Sequence, residues 1–295
     1  MKALILAEHP EDAYGLCAGA RGQADTVIAV AIGNLEIPGG VADTVAHIAL
    51  PEGAVFDDAA DTVIALFDNE QPDVVYVEPS RRMKSIAGKL ASHIGSSVIT
   101  DVLSFDEDGA TSLYFGGVGE RIRQPLGVAL YSLKPEAFAS QSPSGQNTVV
   151  EVDWVAPQHP LKLVSTSKIE KSGVDLTKAD RVVGAGRGFA EKDDLDLARS
   201  LCEKIDAGLG CTRPLTEGVD WLPTEVYIGV SGLMLTPQVY IAIGISGQMQ
   251  HMVGCNRAAT VFAINKDSNA PVFKQCDYGL VGDIKKVLPQ LIEAL

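Results

Sequence analysis

The chain has 295 residues, enough for two domains of ordinary size, and its 46% hydrophobic and 21% charged residues supply a sizeable globular core. A net charge of −14 argues against nucleic acid or an anionic membrane surface as a partner. The five cysteines show no metal or disulfide-framework spacing and the five histidines are scattered, so reduced thiols, a cytoplasmic setting and no metal site are expected.

Residues 3–7 (ALILA) are a short bounded apolar run. They read as a first strand, not a signal peptide, because Glu8, Glu11 and Asp12 follow at once. Residues 26–32 and 46–50 read as the second and third strands. Between residues 56 and 69, Ala59, Val63, Leu66 and Phe67 fall at helical spacing. Pro72 closes that helix, and residues 74–77 are a fourth strand. Ile86, Leu90, Ala91 and Ile94 share a helical face, and residues 97–102 form the next strand. Strands alternating with helices imply a parallel sheet covered on both faces. After residue 110 the rhythm changes. Runs at 113–115, 127–133, 148–155 and 161–164 have no long helix between them and read as late strands, some antiparallel. Arg81 and Arg82 stand where a helix begins. A phosphate could sit there, but salt bridges or a partner-subunit contact fit a generic arginine pair better. No apolar run approaches the roughly 20 residues that span a bilayer, so membrane insertion is not expected.

Residues 165–180 are polar and aperiodic, the best linker in the chain. They divide a first domain, residues 1–170, from a second, residues 178–295. The fold expected is α/β, two domains, each a mainly parallel sheet with flanking helices. The first is Rossmann-like, of the nucleotide-binding superfamily; the second is doubly wound.

The second half carries the candidate chemistry. Residues 181–183 lead into Gly184-Ala-Gly186-Arg187-Gly188, and a helix is expected over 193–206. The context suits a dinucleotide site, but the spacing is G-x-G-x-G, not G-x-G-x-x-G. Arg187 inside the turn could meet a pyrophosphate. A strand over 207–211 ends at Thr212-Arg213. A further strand, 239–243, runs into Gly244-Ile-Ser246-Gly247, and another apolar run, 260–264, closes on Asn265. Glycines there would let backbone N–H groups approach an anion, with a following helix adding its positive end. A plain strand-to-helix turn fits the same residues. The final helix is expected over 284–294, with Asp283 as its N-cap.

The pattern Tyr240-Ile-Ala-x-Gly244-Ile-Ser246-Gly247-x-x-Gln250-His251-x-x-Gly254, followed by Ala263-Ile-Asn265, resembles the signature of the electron-transfer flavoprotein alpha subunit. The likeness runs over residues 181–290 and, more thinly, over 74–105. It implies FAD in the second domain and a first domain used for subunit packing. It also implies a heterodimer with a beta subunit, and an electron carrier rather than an enzyme. Such a carrier serves flavin dehydrogenases, often of the acyl-CoA type in fatty acid oxidation, and a redox acceptor. By the same resemblance Arg187 contacts the dinucleotide. Thr212 stands where the family has serine, and Arg213 lies beside the flavin ring. There a fixed charge would favour the reduced anion. In Ile228-Gly229-Val230-Ser231-Gly232, Ser231 keeps the hydroxyl for flavin N5. Val230 replaces a glutamine and Leu233 a lysine, which puts the polarity near the ring in doubt. Ser246 and Gly247 should meet the pyrophosphate, with Gln248 and Met249 beside them. Gln250 and His251 should reach the ring, a protonated His251 stabilising the reduced anion. Asn265, Lys266, Asp283 and Ile284 belong to the nucleotide end. Two other readings stay open: an NAD(P)-dependent oxidoreductase built on residues 184–188, and an electron-bifurcating flavoprotein that uses NADH.

Overall fold

A computed structural model describes residues 1–115, 119–139, 141–166 and 174–295. The chain separates into two compact units, Met1–Tyr114 with Gly119–Lys168 and Ile169–Leu295. Of the expected linker, residues 167–173 lie outside the described residues.

The first unit begins with β1 (Lys2–Leu6), α1 (Pro10–Ala20), β2 (Thr26–Ile32), β3 (Thr44–Ile48), α2 (Ala60–Glu70), β4 (Val74–Val77) and α3 (Arg81–His93). It continues with β5 (Val98–Asp106), β6 (Gly109–Tyr114), β7 (Gly119–Arg123), β8 (Ala129–Leu133) and β9 (Thr148–Glu151). The strands form one nine-stranded sheet in the order β7-β6-β5-β8-β4-β1-β2-β3-β9. Only the β5–β6 and β6–β7 pairs are antiparallel. Alternation along β1 shows why both faces must be covered. Ala3 and Ile5 pack with Ala13, Leu16 and Cys17 of α1. Leu4 and Leu6 pack on the other face with Val63, Leu66 and Phe67 of α2 and Met83, Ile86 and Leu90 of α3. Each such fully buried Leu, Ile or Phe stabilises the sheet by roughly 1.5–3 kcal/mol. Ser80 caps α3 by accepting from the Met83 N–H, and the Arg82 guanidinium lies 5.4 Å from the centre of the Phe56 ring. Arg82 is thus engaged inside the unit by a cation–π contact.

Two sequence expectations change here. Residues 161–164 form no strand: the backbone N–H of Leu161 donates to Asp58 (2.9 Å) and that of Gln158 to Asp61 (2.8 Å), so side chains beside α2 satisfy this segment. The helical residues 56–69 divide into a 3-10 turn, Phe56–Ala59, and then α2.

The second unit comprises β10 (Arg181–Ala185), α4 (Leu195–Ile205), β11 (Gly208–Cys211), β12 (Val239–Ile243), α5 (Met249–Met252), β13 (Thr260–Asn265), β14 (Tyr278–Val281) and α6 (Ile284–Ala294). Its sheet is parallel throughout, in the order β11-β10-β12-β13-β14. Val183, Ala185, Ile243 and Ile264 face α4 and α6, while Val182, Tyr240, Ala242 and Val261 face Ile228, Leu235, Met252 and Val272. The chain leaves β10 for β11 on one side and later crosses to β12 on the other. The crevice between the carboxyl ends of β10 and β12 is therefore the topological switch point, where open parallel sheets bind ligands. All five cysteines are free. Among the described residues no helix is long and apolar enough to cross a membrane.

Candidate functional site

Two glycine turns meet at the switch point. The Gly186 N–H donates to Ile243 O and the Gly188 N–H to Gly244 O, both at 2.9 Å. A side-chain carbon on Gly186 or Gly188 would strike the backbone of Gly244, so neither position has room for one. Gly244 and Gly247 have φ of 63° and 86°, in the left-handed region that glycine enters without a Cβ penalty. Beyond this junction the chain turns away from its own acceptors. Among the described residues, the backbone N–H groups from Ile245 to Gln250 donate to no acceptor in the protein. Arg187 is exposed between its two glycines. The helix expected after Gly247 is only α5, a single turn, so its dipole is small and the free N–H groups of the loop are the main anion-facing feature.

The nucleotide-end residues gather around the same crevice. Asn265 is bonded through its side chain, its Nδ2 donating to Ile245 O (2.8 Å) and its Oδ1 accepting from the Asp267 N–H (3.0 Å), which fixes the loop after β12. Val272 donates to Ser246 O (3.0 Å), and Gln275 Nε2 donates to Gly247 O (2.8 Å). Lys266 is exposed. Asp283 caps α6 by accepting from the Lys285 N–H (2.9 Å). Ile284 is buried, its Cδ1 lying close to where side chains on Gly188 and Gly244 would be.

The ring-end residues form a second group on the same edge. The Thr212 N–H donates to Ala185 O, while the Thr212 hydroxyl oxygen is buried with no hydrogen-bond partner among the described residues. Arg213 is not a bare cation: its Nε donates to Glu217 Oε2 at 2.6 Å, and this pair holds the guanidinium above its ordinary pKa. The loop Ile228–Gly232 is stitched in place by Ile228 N–H to Cys211 O and Val230 N–H to Gln250 O, both 2.9 Å. It leaves Val230, Ser231 and Gly232 exposed, beside exposed Gln248, Met249 and Gln250. Every site residue expected from the sequence thus lies on the carboxyl edge of the second sheet.

His251 is held by two hydrogen bonds within the second unit. The ring is buried, with Nε2 2.8 Å from Tyr240 Oη and Nδ1 2.9 Å from Ile228 O. Burial pushes its pKa down to about 4, against a smaller opposing pull from the Ile228 carbonyl. Both imidazole nitrogens are thus engaged within the protein.

Sequence reasoning missed Glu217 and Gln275, and named Tyr240 only as part of a family pattern. Only Glu217 left a signal, its spacing four residues after Arg213. It also missed Glu78 in the first unit. This carboxylate, 2% exposed, accepts from the N–H groups of Glu8 (2.7 Å) and His9 (3.1 Å) and pairs with His9 Nδ1 (2.6 Å). Glu8, His9 and Glu78 bring three metal-capable atoms within 4.8 Å of one another, but Glu78 is already spent on holding the start of α1.

A parallel sheet whose switch point presents glycine turns and free N–H groups defines an α/β protein that binds a nucleotide-type cofactor. The comparisons with known proteins agree. A family model described as "Electron transfer flavoprotein domain" matches residues 5–157, and one described as "Electron transfer flavoprotein FAD-binding domain" matches residues 175–256. YdiR of Escherichia coli K12, provisionally named an electron transfer flavoprotein subunit, is 40% identical over 80% of this chain and 78% of its own length. Protein FixB of Escherichia coli O127:H6 is 39% identical, covering 83% of this chain and 81% of itself. FixB of Salmonella typhimurium LT2 is 38% identical over the same shares. The chain belongs to the electron transfer flavoprotein family as an alpha-type subunit, and its second unit is the FAD-binding domain.

Proposed function

We propose that the chain holds one FAD along the carboxyl edge of β10–β14. Paired with a beta-type subunit, it carries electrons between a flavin dehydrogenase of the acyl-CoA type and a further redox acceptor. The observation that carries this reading is the run of unengaged N–H groups from Ile245 to Gln250 at the switch point. Ser246, Gly247 and Gln248 would hold the pyrophosphate with Arg187. Asn265, Lys266 and Asp283 would serve the adenosine end over Ile284. The unpartnered Thr212 hydroxyl supports a polar ligand group at the other end, since a buried hydroxyl without a partner costs about 1–3 kcal/mol. There Arg213, the loop Ile228–Gly232 with the Ser231 hydroxyl, Met249, Gln250 and His251 would flank the ring. Bound flavin supplies the electron-accepting chemistry, while these residues bind it, orient it and keep water away.

A partner subunit is supported by two apolar sheet edges. On β14 Tyr278, Leu280 and Val281 are at least half exposed, and the Tyr278 ring stacks on Phe262 with centroids 4.9 Å apart. On β9 Val149 and Val150 are similarly open. Bare apolar edges are a liability unless a chain covers them.

The donor class is tested by mixing the purified heterodimer with an acyl-CoA dehydrogenase and its substrate under anaerobic conditions. Bleaching of the flavin absorbance is expected. A flavin that dithionite reduces but this donor leaves oxidised would move the donor to another class.

A further inference from the structure

The glycine turn after β12 is pinned from the side of β13. Ile245 O accepts from Asn265 Nδ2 (2.8 Å), Ser246 O from the Val272 N–H (3.0 Å) and Gly247 O from Gln275 Nε2 (2.8 Å). All three donors belong to residues 265–275, the stretch that leaves β13, and β13 lies across β12 from β10. A trans peptide is planar, with its C=O and the following N–H on opposite sides. Three carbonyls drawn toward β13 therefore turn the N–H groups of Ser246, Gly247 and Gln248 the other way, toward the crevice between β10 and β12. Among the described residues these N–H groups meet no acceptor. The backing is close-packed. A side-chain carbon on Gly247 would strike the backbone of Val272, which is fully buried in the 3-10 turn Pro271–Lys274. Gln275 follows that turn. Its N–H donates to Val272 O (3.0 Å), and its Nε2, which carries two protons, also reaches Pro271 O (3.2 Å). The side chain is thus fixed at both ends.

From this geometry we infer that Gln275 is a positioning residue for the dinucleotide. It holds the Gly247–Gln248 peptide so that the Gln248 N–H, in line with those of Ser246 and Gly247, faces the anion. The inference rests on the FAD placement proposed above. It adds a side chain that touches the loop from behind and not the cofactor. A pin is needed at this peptide because Gly247, with φ of 86° and no Cβ, is the residue that most readily lets it turn over. A turned peptide would aim a carbonyl oxygen at the phosphates in place of an N–H. Of the three pins, Val272 acts through its backbone, which no side-chain change removes. Gln275 acts through an amide that donates without adding charge, so its loss reads out the hydrogen bond itself.

The test uses the heterodimer with FAD bound and three variants of this chain. Gln275→Met keeps the length and removes the donor. Gln275→Glu sets an acceptor-only carboxylate against Gly247 O. Arg187→Met acts from the facing glycine turn. FAD should bind about fivefold more weakly in Gln275→Met and about thirtyfold more weakly in Gln275→Glu. The phosphorus-31 resonances of the bound pyrophosphate should shift in both, while the flavin absorbance stays that of the wild type. Melting temperatures of the FAD-free variants show whether each still folds. A lower melting temperature with unaltered FAD affinity and phosphorus spectrum marks a merely structural role and overturns the inference. An affinity and spectrum that respond to Arg187→Met but to neither Gln275 variant also overturn it, with the FAD placement left standing. A response to none of the three overturns it through the placement of the pyrophosphate beside this loop.

Discussion

At the scale of single residues, Thr212 is informative because its hydroxyl oxygen is buried without a partner among the described residues. Thr212→Val keeps the shape and removes the orphan. The FAD-free chain should gain about 1 kcal/mol of stability while FAD binding weakens about fivefold, read by urea unfolding and by flavin fluorescence. His251 gives a pH prediction. The unfolded imidazole takes up a proton below about pH 6.5, and the folded one only below about 4. Between those values the unfolded state holds more protons, so stability falls as pH falls, by about 3 kcal/mol in total. His9 runs the other way. Its hydrogen bond to Glu78 raises its pKa, so its contribution is complete below pH 6.5 and is lost as pH rises through the raised value. Titrating unfolding of the wild type against His251→Asn and His9→Asn separates the two windows. Thr212 and His251 were legible in the sequence as candidates and His9 was not, and none of their bonds was. Tyr240 and Ile228 lie 11 and 23 residues from His251, and only the folded sheet brings them to its ring.

Among elements, the long periodic ones could be read and α1 could not. The buried side of α1 is Ala13, Leu16, Cys17, Ala18, Gly19 and Ala20, too small to mark a helical face by size. The structure supplies the reason. Pro135 packs where Gly15 would carry a side chain, and the Phe138 ring packs where Gly19 would. These contacts join residues more than a hundred positions apart, beyond the reach of local pattern. Gly19→Ala should therefore destabilise the chain by about 1–3 kcal/mol through overpacking, although alanine favours a helix by up to about 1 kcal/mol. Denaturant unfolding would show it, and a stabilised variant would mean that the Phe138 ring moves aside freely. In the second sheet β10, β12 and β13 were read from apolar runs that pack into its core, whereas the exposed edge strand β14 was not named. The helix after Gly247 was overestimated, since a glycine turn after a strand signals a close approach of backbone whether or not a long helix follows.

Across the whole molecule, two doubly covered sheets divide the work. The first unit ends its switch region in Glu78, a carboxylate seated on the N–H groups that open α1. The second leaves six successive N–H groups, Ile245 to Gln250, without acceptors among the described residues. This contrast assigns the dinucleotide to the second unit, although the chain as a whole carries a net charge of −14. Local N–H groups and one exposed arginine act at contact distance, where they outweigh a diffuse surface charge screened over a Debye length of about 8–10 Å. The most direct test is the number of FAD molecules released per heterodimer, counted for the wild type and for Gly188→Ala. In that variant a methyl group would push the two switch-point turns apart. The account predicts about one FAD in this chain of the wild-type complex and its loss in the variant, with the two subunits still associated. A colourless wild-type complex, or a variant that keeps its full FAD, would contradict it.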